Sequence, residues 1–150
     1  MDPTSAIVVI SSLIAFTSSS LVVAQALTRG NANTKSLTEE LEVIELILTE
    51  CIQSLDSHAR VGNIPPSIER CLVLCEKKRT DAIEIMEKIH GKTGEKRKNF
   101  ATRLRFVVLS VTYEQPLIAK FNSFRDTAML LRDLTAEYVL RQGSPIGSIF

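Results

Sequence analysis

AIVVISSLIAFTSSSLVVAQAL, residues 6–27, runs for 22 residues without a charged side chain. Such a stretch is a cleaved leader, a membrane span or the most apolar helix of a bundle, and each reading gives the chain a different architecture. The residues before it bear on the choice. Asp2 ahead of Pro3 has the form of a helix start, an N-cap carboxylate followed by proline at the first helical position, where the missing N–H is no loss. MDPTS also carries no cation, whereas a secretory leader opens on positive charge. Against this, Ala24-Gln25-Ala26 has the A-x-A form of a cleavage site, so a secreted helical protein stands as an alternative.

On a helix begun at Pro3, Thr4, Ser11, Ser18 and Gln25 recur every seven residues, with Ser12 and Ser19 beside them. The rest of the circumference carries Ile7, Val8, Val9, Ile10, Leu13, Ile14, Phe16, Leu21, Val22, Val23 and Leu27. The pattern predicts a narrow polar stripe for close packing and a wide apolar face for burial, as in a central bundle helix or a membrane-seeking one. Gly30, inside TRGNANT, is the expected C-cap.

Working outward, Ser36 and Glu39 have capping-box spacing and open a second helix. Leu37, Leu41, Ile44, Leu48, Cys51 and Leu55 form its apolar stripe, and Glu39, Glu40, Glu42, Glu45, Glu50 and Asp56 make its outer face acidic. RVGNIPP is a turn, after which Ile68, Cys71 or Leu72, Cys75, Ala82, Met86 and Ile89 predict a third helix to about His90. GKTGEKRKN, residues 91–99, has the composition of a loop. Phe100, Leu104, Val107 or Val108 and Val111 continue a helical pattern, although RFVVLSVTY is β-branched enough to suit a strand. Pro116 is expected to interrupt or kink this segment. Leu117, Phe121, Phe124, Ala128, Leu131, Thr135 and Tyr138 mark a last stripe, and QGSPIGSIF from Gln142 has the composition of a flexible tail or linker.

The chain is therefore expected to be all-α, an antiparallel bundle of four to five helices over residues 1–141 with a very hydrophobic N-terminal helix, followed by a tail over 142–150. With 150 residues, 45% of them hydrophobic, it is long enough for one domain with a real core. The scarcity of aromatic residues and of glycine and proline agrees with helices on short connections. Three cysteines do not make a disulfide framework, which favours a reduced, intracellular setting.

Little in the sequence points to catalysis. GKT at 91–93 lacks the glycine that a phosphate loop places five residues before Gly91, where Met86 stands, and it follows a helical stripe rather than a strand. Cys71 and Cys75 lie one helical turn apart with no second pair, as core cysteines do, and His58 and His90 fall near helix ends. No nucleophile, base and orienting group can be paired by spacing. No enzyme, metal or cofactor is expected.

Charge is the remaining signal. Lys92, Lys96, Arg97, Lys98, Arg103 and Arg105 stand against Glu95 alone, a local charge of +5 in a chain of net charge +1. Beyond a solvated face, such a run attracts an anionic membrane at about 1 kcal/mol per cation held near it. Only Phe100 and Phe106 interleave it, and no recognition helix accompanies it, so nucleic acid is not an expected partner.

The MDP start leading into a Ser- and Ala-rich apolar helix, the Glu-rich second helix, and KRKNFATRLRF followed by a helix with LLRDLTAEYVL together resemble the fungal HeLo and HeLo-like domains. These stand at the front of STAND (NLR-like) receptors and in related proteins. The resemblance spans residues 1 to about 141. It implies a four-helix cell-death executor of the kind active in programmed cell death, heterokaryon incompatibility and innate immunity. Such a domain is cytoplasmic until an upstream NLR-like receptor or regulator drives it to homo-oligomerise and associate with the plasma membrane. Carried onto this chain, the insertion element is Ala6–Leu27, with Ile7, Ile10, Leu13, Ile14, Phe16, Leu21 and Val23 as its apolar members. Lys96, Arg97, Lys98, Arg103 and Arg105 are the candidates for anionic lipid. Residues 142–150, QGSPIGSIF, carry neither a NACHT nor a kinase-like pattern and no amyloid-forming repeat. The competing expectation is a helical interaction or oligomerisation adaptor without membrane activity.

At 1.5 Å per residue, 22 helical residues span about 33 Å, enough for a hydrocarbon core of about 30 Å. Seven of the 22 are Ser, Thr or Gln, which weakens spontaneous insertion and favours burial in a bundle until activation.

Overall fold

The structure, a computed structural model, describes residues 1–28, 34–58, 62–91 and 111–148. The described elements are all helices: α1 Pro3–Thr28, α2 Thr34–His58, α3 Pro66–Gly91 and α4 Val111–Ser148. The all-α bundle expected from the periodicities is the fold observed.

Asp2 caps α1 as its sequence position predicts, its Oδ1 accepting the Ser5 N–H at 2.7 Å. α3 opens at Pro66 on the Pro65 carbonyl, which accepts the N–H groups of Ile68 and Glu69 at 3.1 and 3.2 Å. Three boundaries differ from expectation. α2 starts at Thr34, two residues before the Ser36 capping box. Pro116 is the sixth residue of a continuous α4 and does not interrupt it. That helix then runs on to Ser148, through the stretch expected to be a tail. The pattern from Phe100 to Ser110 lies outside the described residues, as does Gly30.

Helix directions follow from lengths and ion pairs. α1 is 26 residues, about 39 Å, and the six Cα steps from Thr28 to Thr34 cover at most about 23 Å. Because α2 packs against α1, it must run back antiparallel. Arg125 reaches Glu40 at 3.0 Å and Arg132 reaches Glu50 at 3.6 Å, so residue numbers in α4 and α2 rise together and the two are parallel. The Met1 amine lies 3.9 Å from Glu69, and Arg79 Nη1 donates to Ser12 Oγ at 2.8 Å, which makes α1 and α3 parallel. α1 and α4 each pack on both α2 and α3, giving the cyclic order α1, α2, α4, α3.

In that order α2 and α3 are diagonal, so the connection between them crosses one end of the bundle. It passes the start of α1, where the Ile64 N–H donates to the Met1 carbonyl at 2.9 Å and the Ile64 side chain is buried. Gly62 takes the turn at φ +87°, a conformation glycine enters without a Cβ clash. Across the other diagonal, the Phe16 ring of α1 stacks on Phe121 and Phe124 of α4 at 6.0 and 6.3 Å between centroids. The predicted stripes of α2 and α4 are buried throughout, as are Ile68, Cys71, Leu72, Cys75 and Ala82 of α3.

Candidate functional site: the outer face of α1 and the α1–α2 furrow

α1 is apolar almost all round, so its composition leaves open which side enters the core. The inward positions are Ala6, Ile10, Leu13, Thr17, Ser20 and Ala24, an unbroken alternation of four- and three-residue steps. Two of the six are hydroxylated. Their polarity is satisfied within the helix, Thr17 donating to the Leu13 carbonyl at 2.8 Å and Ser20 to that of Phe16 at 2.9 Å. The outward side carries Val8 and Val22, 64% and 66% exposed, with Thr4, Ser11, Ser12, Ser19 and Gln25.

The seven-residue stripe of Thr4, Ser11, Ser18 and Gln25 is thus not a close-packing face. Thr4, Ser11 and Gln25 are exposed and Ser18 is half-buried. The apolar members expected to insert divide into two sets: Ile10 and Leu13 are fully buried, whereas Ile7, Ile14, Phe16 and Leu21 lie half-buried against the core. Val23 is in α1 but its side chain is not among those described. Pro3–Val22 is long and apolar enough to cross a membrane, with mean hydropathy 1.9, yet only 28% of it is buried. Lys96, Arg97, Lys98, Arg103 and Arg105 lie outside the described residues.

Beside this face lies a feature that residue patterns alone did not reveal. Leu21 of α1 and Glu42, Glu45, Leu46 and Thr49 of α2 line an open furrow of about 250 Å³. Leu46 is 61% exposed, and Val43 one turn back is exposed as well. Glu40 and Glu50 turn the other way and pair with Arg125 and Arg132. Glu42 and Glu45 make no ion pair among the described residues. The signal was present in the sequence as two apolar residues, Val43 and Leu46, set into the acidic stripe of α2, but only the neighbouring α1 shows that a furrow forms there.

The cysteines lie in the core. Cys51, Cys71 and Cys75 are free thiols, all buried, and Cys71 Sγ donates to the Thr127 carbonyl at 3.6 Å. Burial pushes the Cys51 thiol up to about 11, against a smaller opposing hydrogen bond with Thr135. The hydrogen bond with Cys71, with burial behind it, pushes Cys75 up as well. Thiols held protonated in this way are poor nucleophiles and poor metal ligands. Among the described residues no group of three His, Cys, Asp or Glu side chains is placed to hold a metal ion. Comparison of the chain with protein-family models, curated proteins and solved structures finds no match.

Proposed function

We propose that this chain is a non-enzymatic helical bundle that oligomerises and associates with the anionic inner face of the plasma membrane through α1, permeabilising it as a cell-death effector. On this reading it is cytoplasmic until an upstream NLR-like receptor or regulator acts on it, as the HeLo-like resemblance implies. The observation that supports it is the mismatch in α1: a charge-free, membrane-length helix whose apolar surface exceeds what the core uses. Thr4, Ser11, Ser12 and Ser19 face outward as in a core helix, but α1 also buries Thr17 and Ser20 and leaves Val8 and Val22 in water.

The test is dye leakage from phosphatidylserine vesicles. Ile10 and Leu13 are unsuitable probes because glutamate at a fully buried site unfolds the bundle. Val8→Glu with Val22→Glu changes only the exposed face. Leakage by wild type, lost in this variant while its helical circular dichroism and melting temperature hold, is the expected result. Wild-type protein that neither binds nor leaks the vesicles would sink the reading in favour of a soluble adaptor. Changing Lys96, Arg97 and Lys98 to Ala is expected to weaken binding and remove most of its salt sensitivity.

A further inference from the structure

The α1–α2 side of the bundle has a one-sided charge distribution. α1 carries no charged residue, and α2 carries six acidic residues against Lys35 as its only Lys or Arg. Two of the six, Glu40 and Glu50, are engaged by arginines of α4. Glu39, Glu42, Glu45 and Asp56 remain for the outside, and Glu42 and Glu45 line the furrow together with Leu21, Leu46 and Thr49. An open furrow lined by two carboxylates and two leucines suits a segment that alternates cations with large apolar side chains.

The chain contains such a segment. Residues 96–106, KRKNFATRLRF, set five cations among Phe100, Leu104 and Phe106 and contain no acid. We propose that the furrow between α1 and α2 receives this basic stretch from a second copy of the chain, with Glu42 and Glu45 meeting its cations and Leu21 and Leu46 its apolar side chains. Furrow and stretch lie on different parts of one chain, so each copy offers both halves: pairing closes as a two-fold dimer where the exchange is reciprocal, and propagates head to tail into a ring or a filament where it is not. The inference rests on the oligomerising function proposed above and names the surface that would carry it.

Sedimentation velocity tests it, from about 1 µM to about 1 mM, the range over which a weak contact saturates. Wild type is expected to self-associate with rising concentration and to dissociate as salt is raised. Glu42→Lys with Glu45→Lys, both at solvent-accessible positions, is expected to stay monomeric with unchanged circular dichroism, as is Lys96→Glu, Arg97→Glu, Lys98→Glu. An equimolar mixture of the two variants restores a complementary pair and is expected to re-form a complex. A labelled peptide of residues 92–106 gives an arm that needs no folding of the basic-stretch variant. Its anisotropy should report binding to wild type that falls about tenfold or more on charge reversal of the furrow. A wild-type chain monomeric throughout, including one in which its own stretch fills its own furrow, overturns the proposal. So does peptide binding that ignores Glu42→Lys, Glu45→Lys. Vesicle leakage is read in parallel: leakage without peptide binding removes the furrow contact alone, and peptide binding without leakage removes the membrane reading alone.

Discussion

Glu40 is held by three opposing influences. Its side chain is only 12% exposed, Arg125 bonds it at 3.0 Å, and Asn122, with its amide nitrogen turned to the carboxylate, donates at 3.0 and 3.3 Å. Burial is the largest effect and raises the carboxyl above its ordinary value of 4.5, Arg125 opposing and Asp126 adding to it. A carboxyl whose folded value is raised binds its proton more tightly folded than unfolded. Its contribution to stability is therefore complete below 4.5 and is lost as pH rises through the folded value. The expected outcome is that Glu40→Gln is at least as stable as wild type at pH 7 in urea titrations, with wild type gaining on it as pH falls toward 4. Arg125→Met leaves the carboxylate without its counter-charge and is expected to cost about 1–2 kcal/mol, less than a fully buried pair because Arg125 itself is 36% exposed. The three thiols give a second residue-scale expectation. Burial pushes Cys51 up to about 11, whereas the hydrogen bond with Cys75 lowers Cys71, so it is their shared burial that should keep all three from a colourimetric disulfide reagent at pH 8 until the chain unfolds in denaturant.

At the scale of the helix, α2 and α4 were legible because their apolar residues recur in one register, and every member of both predicted stripes is buried. α1 was legible as a helix and not as a surface: with apolar residues all round, no moment marks its inward side, and tertiary packing chose a face containing Thr17 and Ser20. Pro116 misled for a local reason. The first four N–H groups of a helix lack partners in any case, so proline at the sixth position removes a single bond, and the buried side chains of Leu117, Phe121 and Phe124 hold the helix to the core. Gly143, Pro145 and Gly147 signal an end that α4 does not take, and no described contact at that end accounts for the continuation. The faces of α1 predict opposite responses. Leu13→Ala should cost about 2–5 kcal/mol, as a buried truncation does. Val8→Ser with Val22→Ser should stay within about 0.5 kcal/mol of wild type in chemical denaturation, because both side chains are exposed, yet lower vesicle leakage if the proposed membrane function holds.

For the molecule as a whole, the antiparallel return of α2 on α1 follows from the short connection between them, but the cyclic order does not; the parallel seam of α2 with α4 is visible only through Arg125 on Glu40 and Arg132 on Glu50. That order places α1 against α2 and α3 and lets it touch α4 through Phe16. Leaving the bundle would expose Ile10 and Leu13 at about 1.5–3 kcal/mol each, in addition to the Phe16 stacks, so release requires a driving partner or the bilayer itself. For the proposed membrane function two routes are physically distinct: α1 departs and inserts, or it stays packed and presents Val8 and Val22 in place. A covalent tie separates them. Ser12 and Arg79 face one another across the parallel α1–α3 pair, so Ser12→Cys with Arg79→Cys can be bridged by a reducible bis-maleimide, while the buried native thiols are spared. If α1 must depart, the bridged protein should melt higher, still bind anionic vesicles, release no dye, and recover leakage on reduction of the linker. Leakage that survives the bridge would mean instead that α1 works from its outer face with the bundle closed.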